Sequence, residues 1–368
     1  MNTAAVKRMA RKTVASARTA RMHMLKRAIA RRALSALEAS GRALSPQMRR
    51  QALDYAIGHL GWKGYAEWLQ VYAAASGQFR PGWLPDNYYT AEVMPRVNGA
   101  YHHMARQRAA NRVLFGDDAF PDIGYVVNGL LLDADYRVIP PAAAAATMSR
   151  FGDRIVVKSD ASGFGAGVRS LATRGLDMAS LTATGNGVIQ RMIEPHPFFD
   201  RFGLPSVPTL RIATVITDQG QAEVRGCYLK LGRKGHGHVM ASDQLRIAVD
   251  WTSGRLADEG FMTSWRVVER HPDTGAEFAG LTLPQIGDCV QTALRLHRRM
   301  PLPRFLSWDM LPDRHGRVQV LEWEGGVVSF AEPMQGPCFA DLGWDRLHLT
   351  GGASGKPGAA PTLIAGRT

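Results

Sequence analysis

A lysine closes the short β-branched run Arg154-Ile-Val-Val-Lys158, and a glycine-rich loop follows it, Ser159-Asp-Ala-Ser-Gly163-Phe-Gly165-Ala-Gly167. Glycines at alternate positions let backbone N–H groups approach a polyanion closely. A lysine at the strand end adds a point charge for the same phosphates. Gly167-Val-Arg-Ser-Leu171 reads as a second strand, so the loop is the tip of a hairpin. It is not a Walker loop, because Gly167 is followed by Val168-Arg169 and not by Lys-Ser/Thr. Nor is it a dinucleotide fingerprint, which needs a helix directly after its glycines. A glycine-rich hairpin that binds nothing meets the same pattern.

A second set of chemical groups lies near the C-terminus. Leu306-Ser-Trp-Asp309-Met310 and Val318-Gln-Val-Leu-Glu322-Trp-Glu324-Gly325 flank the turn Asp313-Arg-His-Gly316. That is a hairpin, with Asp309 near Glu322 and with Glu322 and Glu324 on one strand face. Three converging carboxylates repel unless a cation compensates. Hard oxygen donors suit Mg²⁺, with nucleotide phosphates completing its shell. The alternative is a polar-faced edge hairpin. Strands over 187–193, 209–215 and 224–230 stand between the two sets, each carrying a basic residue. Arg211 alternates with Leu210 and Ile212, so it faces away from the apolar side, toward a site or toward solvent. No His/Cys set has zinc spacing and no Gly-x-Ser-x-Gly elbow occurs.

The chain that must position these groups has 368 residues, enough for about two domains. Its net charge of +13 is uneven: the first 50 residues hold thirteen Lys or Arg and one acid, leaving the rest nearly neutral. That argues against a nucleic-acid-binding core. Three scattered cysteines form no disulfide framework, which points to a reducing cytoplasm. No apolar run is long enough for a transmembrane helix. Residues 4–40 read as a basic helix with Met22, Leu25, Ile29 and Leu37 at helical spacing. Such an arm suits an anionic membrane surface, an acidic partner, an organelle transit signal, or a thin stripe packed on the body. Helical spacing recurs over 51–75 and 93–115, and Asn128-Gly129 marks a hairpin. The tail from Gly351 is Gly-, Ala- and Pro-rich and reads as disordered.

The motif order is a lysine-ended strand, a glycine lid, strand-borne Arg and Lys, then Asp and Glu-x-Glu on a hairpin. It resembles the ATP-grasp superfamily, and most closely the sugar-transfer-associated ATP-grasp proteins linked to polysaccharide biosynthesis. The closer likeness rests on collinear short segments. They are Trp83-Leu-Pro-Asp86, Val188-Ile-Gln190 to His196, Pro205 to Arg211, Lys230-Leu-Gly-Arg233, Val249-Asp250 to Gly254, His271 to Gly275 and Trp308-Asp309. Four positions depart from the family pattern: Glu324 and Pro208 stand where Asn is usual, and Ala110-Asn111 stand where Asp-Lys is usual.

The resemblance implies an α+β ATP-grasp fold, two α+β subdomains clasping ATP, with a basic helical N-terminal extension. Expected divisions are a helical region 1–80, a lead-in 81–150, a lid subdomain 151–215, a catalytic subdomain 216–350 and a tail 351–368. It implies that Lys158, Gly163, Gly165 and Gly167 contact phosphates and that Gln190, Arg191 and Met192 meet the adenine. Asp309, Glu322 and Glu324 are the expected Mg²⁺ ligands, and Arg211, Lys230 and Arg233 the expected catalytic cations. The implied activity is ATP-dependent carboxylate–amine ligation through an acylphosphate, on a small-molecule or glycan carboxylate and an amine. Two other readings use the same fold: a catalytically silent nucleotide-binding scaffold, and a phosphotransferase. The expected setting is cytoplasmic, with the arm meeting a membrane or an acidic partner, and no nucleic acid.

Overall fold

The computed structural model describes residues 3–116, 119–160, 167–183, 185–235, 237, 239–240 and 242–350. The arm is one long helix, α1 (Thr3–Ala39), followed by α2 (Pro46–Gly58) and α3 (Ala66–Ser76). Ser45 caps α2, its hydroxyl accepting the Met48 N–H at 3.1 Å, and Pro46 supplies a helical φ at the first position. The single helix suggested over 51–75 is broken because Gly61, at φ +79°, turns the chain in the left-handed region. The stretch 93–115 is likewise divided, into Met94–Val97, the 3-10 segments Gly99–Arg106 and Arg108–Ala110, and Asn111–Phe115.

The face that α1 buries differs from the expected stripe. Leu25 and Ile29 are about half exposed, whereas Ala30, Ala33 and Leu37 are buried in one core with α2 and α3. Alanines let α1 approach closely, so small residues decide the buried face. Ion pairs then tie the arm down: Lys26 to Asp86 at 2.5 Å, Arg27 to Glu67 at 2.6 Å, and Arg42 to Glu259. From Lys26 to Arg42 the arm is therefore a docked wall of the body. Among the described residues no helix is long and apolar enough to cross a membrane.

Twelve strands among the described residues form two sheets. The smaller contains β1 (Asp122–Val127), β2 (Leu130–Asp133), β3 (Arg154–Ser159), β4 (Val168–Ala172) and β5 (Gly187–Arg191), in the order β2-β1-β5-β3-β4. Asn128 (φ +52°) and Gly129 (φ +84°) turn the β1–β2 hairpin, as their pairing predicts. The larger contains β6 (Thr209–Ile216), β7 (Ala222–Leu231), β8 (Leu245–Val249), β9 (Leu256–Met262), β10 (Val267–Val268), β11 (Phe305–Pro312) and β12 (Val318–Gly325). Its order is β10-β9-β8-β7-β6-β11-β12. The division expected between 215 and 216 falls inside β6, and the smaller sheet draws β1 and β2 from the segment expected as a lead-in.

Alternation gives each face of the larger sheet its task. Leu210, Ile212, Leu229, Ile247, Trp308 and Met310 pack with the helix Ile286–Arg299 in one core. The charged residues between them point to the other side. In the smaller sheet Gly187 sits where β5 crosses Lys158, and a Cβ there would lie 2.1 Å from the Lys158 carbonyl oxygen. Gly187→Ala is expected to force β5 away from β3 and to cost about 1–3 kcal/mol in urea denaturation. An unchanged midpoint would contradict that reading.

Candidate active site

Strand register assembles a row of charges on the free face of the larger sheet. Arg246 on β8 stands opposite Lys230 on β7. Arg211 on β6 stands opposite Asp309 on β11, and Asp309 opposite Glu322 on β12. Glu324 follows two residues on, on the same face. The row forms one wall of a cavity of about 750 Å³, which Lys158, Gln190, Arg191 and Met192 line from the smaller sheet.

The three carboxylates do not face one another bare. Arg211 donates to both oxygens of Asp309, each at 2.7 Å, and Lys230 donates to Asp309 Oδ2 at 2.5 Å. The remaining Arg211 nitrogen pairs with Glu324, and Arg108 pairs with Glu322. The repulsion expected among these carboxylates is thus relieved by the chain's own cations. Burial alone would raise the Asp309 carboxyl, but Arg211 and Lys230 outweigh it and hold Asp309 below the usual carboxylate range. Glu324 moves the other way: burial raises it more than Arg211 lowers it. Burial also lowers Lys230, with Arg211 adding to the effect.

Lys158 bridges the two sheets, its Nζ donating to the Leu321 carbonyl of β12 at 2.8 Å. Burial lowers its pKa, against the raising effect of Glu322. Gln190 donates to Asp122 at 2.8 Å and Arg191 to Gln319 at 2.7 Å, so β5 is pinned where the sheets meet. Met192 is exposed at the same edge. Gly167 accepts the Ser159 N–H at 3.2 Å and closes the base of the lid hairpin. Gly163 and Gly165 lie outside the described residues.

Arg233 is not brought to the row. It forms a two-pronged pair with Asp273 at 2.6 and 2.7 Å and does not line the cavity. Arg108, by contrast, escaped the sequence reading. Its backbone N–H and guanidinium hold Asp160 and the Ser159 carbonyl at 2.8 and 2.7 Å, at the foot of the lid. Asn111 accepts from Trp323 Nε1 at 3.0 Å and donates to Asp122 at 3.1 Å, so it ties the two sheets together where the family pattern carries lysine. Lys26, Ile29 and Asp86 close the far end of the cavity, bringing α1 into its wall.

Residues 172–328 match the family model of the sugar-transfer associated ATP-grasp domain. No curated protein matches the chain. Among solved structures, the biotin carboxylase of Campylobacter jejuni is 12% identical at a TM-score of 0.44, over 87% of this chain and 68% of that one. The biotin carboxylase domain of Hydrogenobacter thermophilus 2-oxoglutarate carboxylase, in complex with MgADP, is 12% identical at 0.39, over 66% and 45%. The D-alanyl-alanine synthetase A of Vibrio cholerae is 12% identical at 0.40, over 67% and 66%. The chain spans about half the length of the Hydrogenobacter protein.

Proposed function

We propose that this chain, a member of the ATP-grasp superfamily, is an ATP-dependent carboxylate–amine ligase. One observation carries the reading: Lys158 on one sheet and Glu322 and Glu324 on the other line a single cavity. A substrate carboxylate oxygen would attack the γ-phosphorus, with ADP leaving. An amine would then add to the acylphosphate carbon and expel phosphate, forming the amide.

Lys158 would neutralise phosphate charge. Arg211, held rigid by Asp309, presents a guanidinium to the transferred phosphoryl and to the tetrahedral oxyanion. Lys230 keeps Asp309 ionised and adds positive potential to the same place. Among the described residues no three His, Cys, Asp or Glu side chains are arranged to hold a metal by themselves. Mg²⁺ asks for less, since it is commonly held by one or two carboxylates with phosphates and water. Glu322 and Glu324, about one third exposed and facing the cavity, fit that requirement, with Asp309 closed behind them. The ion would neutralise phosphate charge, and Arg108 and Arg211 would release the glutamates to it.

Thermal melting with MgATP tests the reading. Binding only the native state raises the melting temperature, by about 2.7 kcal/mol of stabilisation at a hundredfold excess over Kd. The wild type is expected to shift with MgATP and Lys158→Met to lose most of that shift. ADP release with a screen of acids and amines then separates a ligase from a scaffold, and product mass separates it from a phosphotransferase. Equal shifts in both proteins would remove Lys158 from the site.

A further inference from the structure

Arg246 on β8 is a further, partly buried cation of the cavity wall. Arg108, Arg211 and Lys230 each have a carboxylate partner, whereas among the described residues Arg246 and Lys158 form no ion pair, and Lys158 is hydrogen-bonded to the Leu321 carbonyl instead. The Arg246 guanidinium lies over the rings of Trp265 and Phe330, 5.4 and 5.0 Å from their centroids. Nη2 reaches only the carbonyls of Met262 and Thr263, at 3.3 and 3.5 Å, and Nε is shut off from solvent with no hydrogen-bond partner. A buried charge with unmet donors is costly to keep, and stacking on aromatic faces compensates only part of it. Burial accordingly lowers its pKa, with Tyr228 opposing. The wall around it carries Trp68, Gln244, Thr263 and Ser329, a mix of flat apolar surface and neutral hydrogen-bonding groups.

We infer that this end of the cavity is a subsite for an anionic oxyacid group, carboxylate or phosphate, on the substrate that is modified. Nη1, without a partner among the described residues, and Nη2, held only by long contacts, match such a group in two-pronged fashion. The strand order fixes how far away it sits. Arg246 on β8 is two to three strands from Arg211 and Asp309 on β6 and β11, roughly 10–15 Å at the usual strand spacing. The group at Arg246 is therefore not the one that reacts beside Glu322. The substrate carries a second, non-reacting anion at its distal end, about the length of a short peptide or a sugar acid away. Which end reacts rests on the ligase reading; anion binding at Arg246 does not.

The test uses the full chain labelled with 15N-arginine. The Arg246 Nε–Hε signal is assigned by its absence in Arg246→Lys or, should that variant not fold, by its displacement in Trp265→Phe. Acetate and inorganic phosphate are titrated separately, once with saturating MgATP on the otherwise unaltered chain and once without nucleotide in a Lys158→Met background, to keep them from the nucleotide end. A saturable displacement of this signal by either anion, weakened about tenfold or more in Trp265→Phe or lost with the signal in Arg246→Lys, supports the subsite. The anion that acts names the group. MgATP binding with no response at Arg246 to either anion overturns the subsite and leaves the ligase reading standing. A response at Arg246 in a protein that binds no MgATP keeps the subsite and removes the ligase.

Discussion

Asp309→Ala is expected to lower stability by about 3–5 kcal/mol, because it strands Arg211 and Lys230 side by side without their shared counter-charge. Both cations are nearly buried and both donate to Asp309. Urea denaturation of the purified protein measures the loss. Adding Lys230→Met to Asp309→Ala should recover part of it, since Arg211 keeps Glu324 and Lys230 is the charge left without a carboxylate. Additive losses in the double variant would refute the coupling. The pH sign follows from the same geometry. A carboxyl held below its unfolded pKa contributes stability above that unfolded value and loses it as pH falls through the folded one. Asp309 should therefore go on stabilising the fold in acid where free carboxylates have already been protonated. The variant also bears on how nucleotide binding is probed: Lys158→Met is the cleaner choice, because Asp309→Ala damages the sheet that carries the site.

Glu332→Gln should remove a pH-dependent weakness. Glu332 is fully buried in the short helix Ala331–Gln335; Oε2 accepts the Leu84 N–H at 3.3 Å, and Oε1 has no hydrogen-bond partner. Burial pushes its carboxyl up to about 8, with Asp345 adding to the rise. The folded chain thus holds a proton that the unfolded chain releases near pH 4.5. Stability from this group is complete below the unfolded pKa, falls as pH rises, and is lost by about 8. Glutamine keeps the shape and carries no charge. The gap between variant and wild type should open from pH 5 to 8, to a few kcal/mol, and stay level above. Parallel pH profiles for the two proteins would contradict it.

Period-two alternation made most of the charged row legible. Leu210-Arg211-Ile212 and Leu229-Lys230-Leu231 can bury one face only by turning the cations to the other. Leu245-Arg246-Ile247 carries the same signal, so Arg246 was open to the same argument and went unread. What alternation could not say is which charges neutralise which, because that depends on the order of strands distant in sequence. Hence three carboxylates looked like a bare metal site, while Arg108 was invisible in a stretch whose apparent helical period dissolves into 3-10 turns. The arm's buried face was misread for a related reason. Hydrophobicity scales favour Leu25 and Ile29, while close approach to α3 favours Ala30 and Ala33. The Asn128-Gly129 hairpin came through intact because its cause lies wholly within four residues.

The docking of α1 also bears on time. Lys26 and Ile29 of α1 line the cavity beside residues that lie far along the chain. Arg42 pairs with Glu259, 217 residues on, and Trp265 of the neighbouring wall lies as far along the chain. Contacts so distant in sequence carry a loop-closure cost that local hairpins do not. The hairpins of the two sheets close short loops, whereas the side that α1 gives the chamber depends on contacts that close long ones.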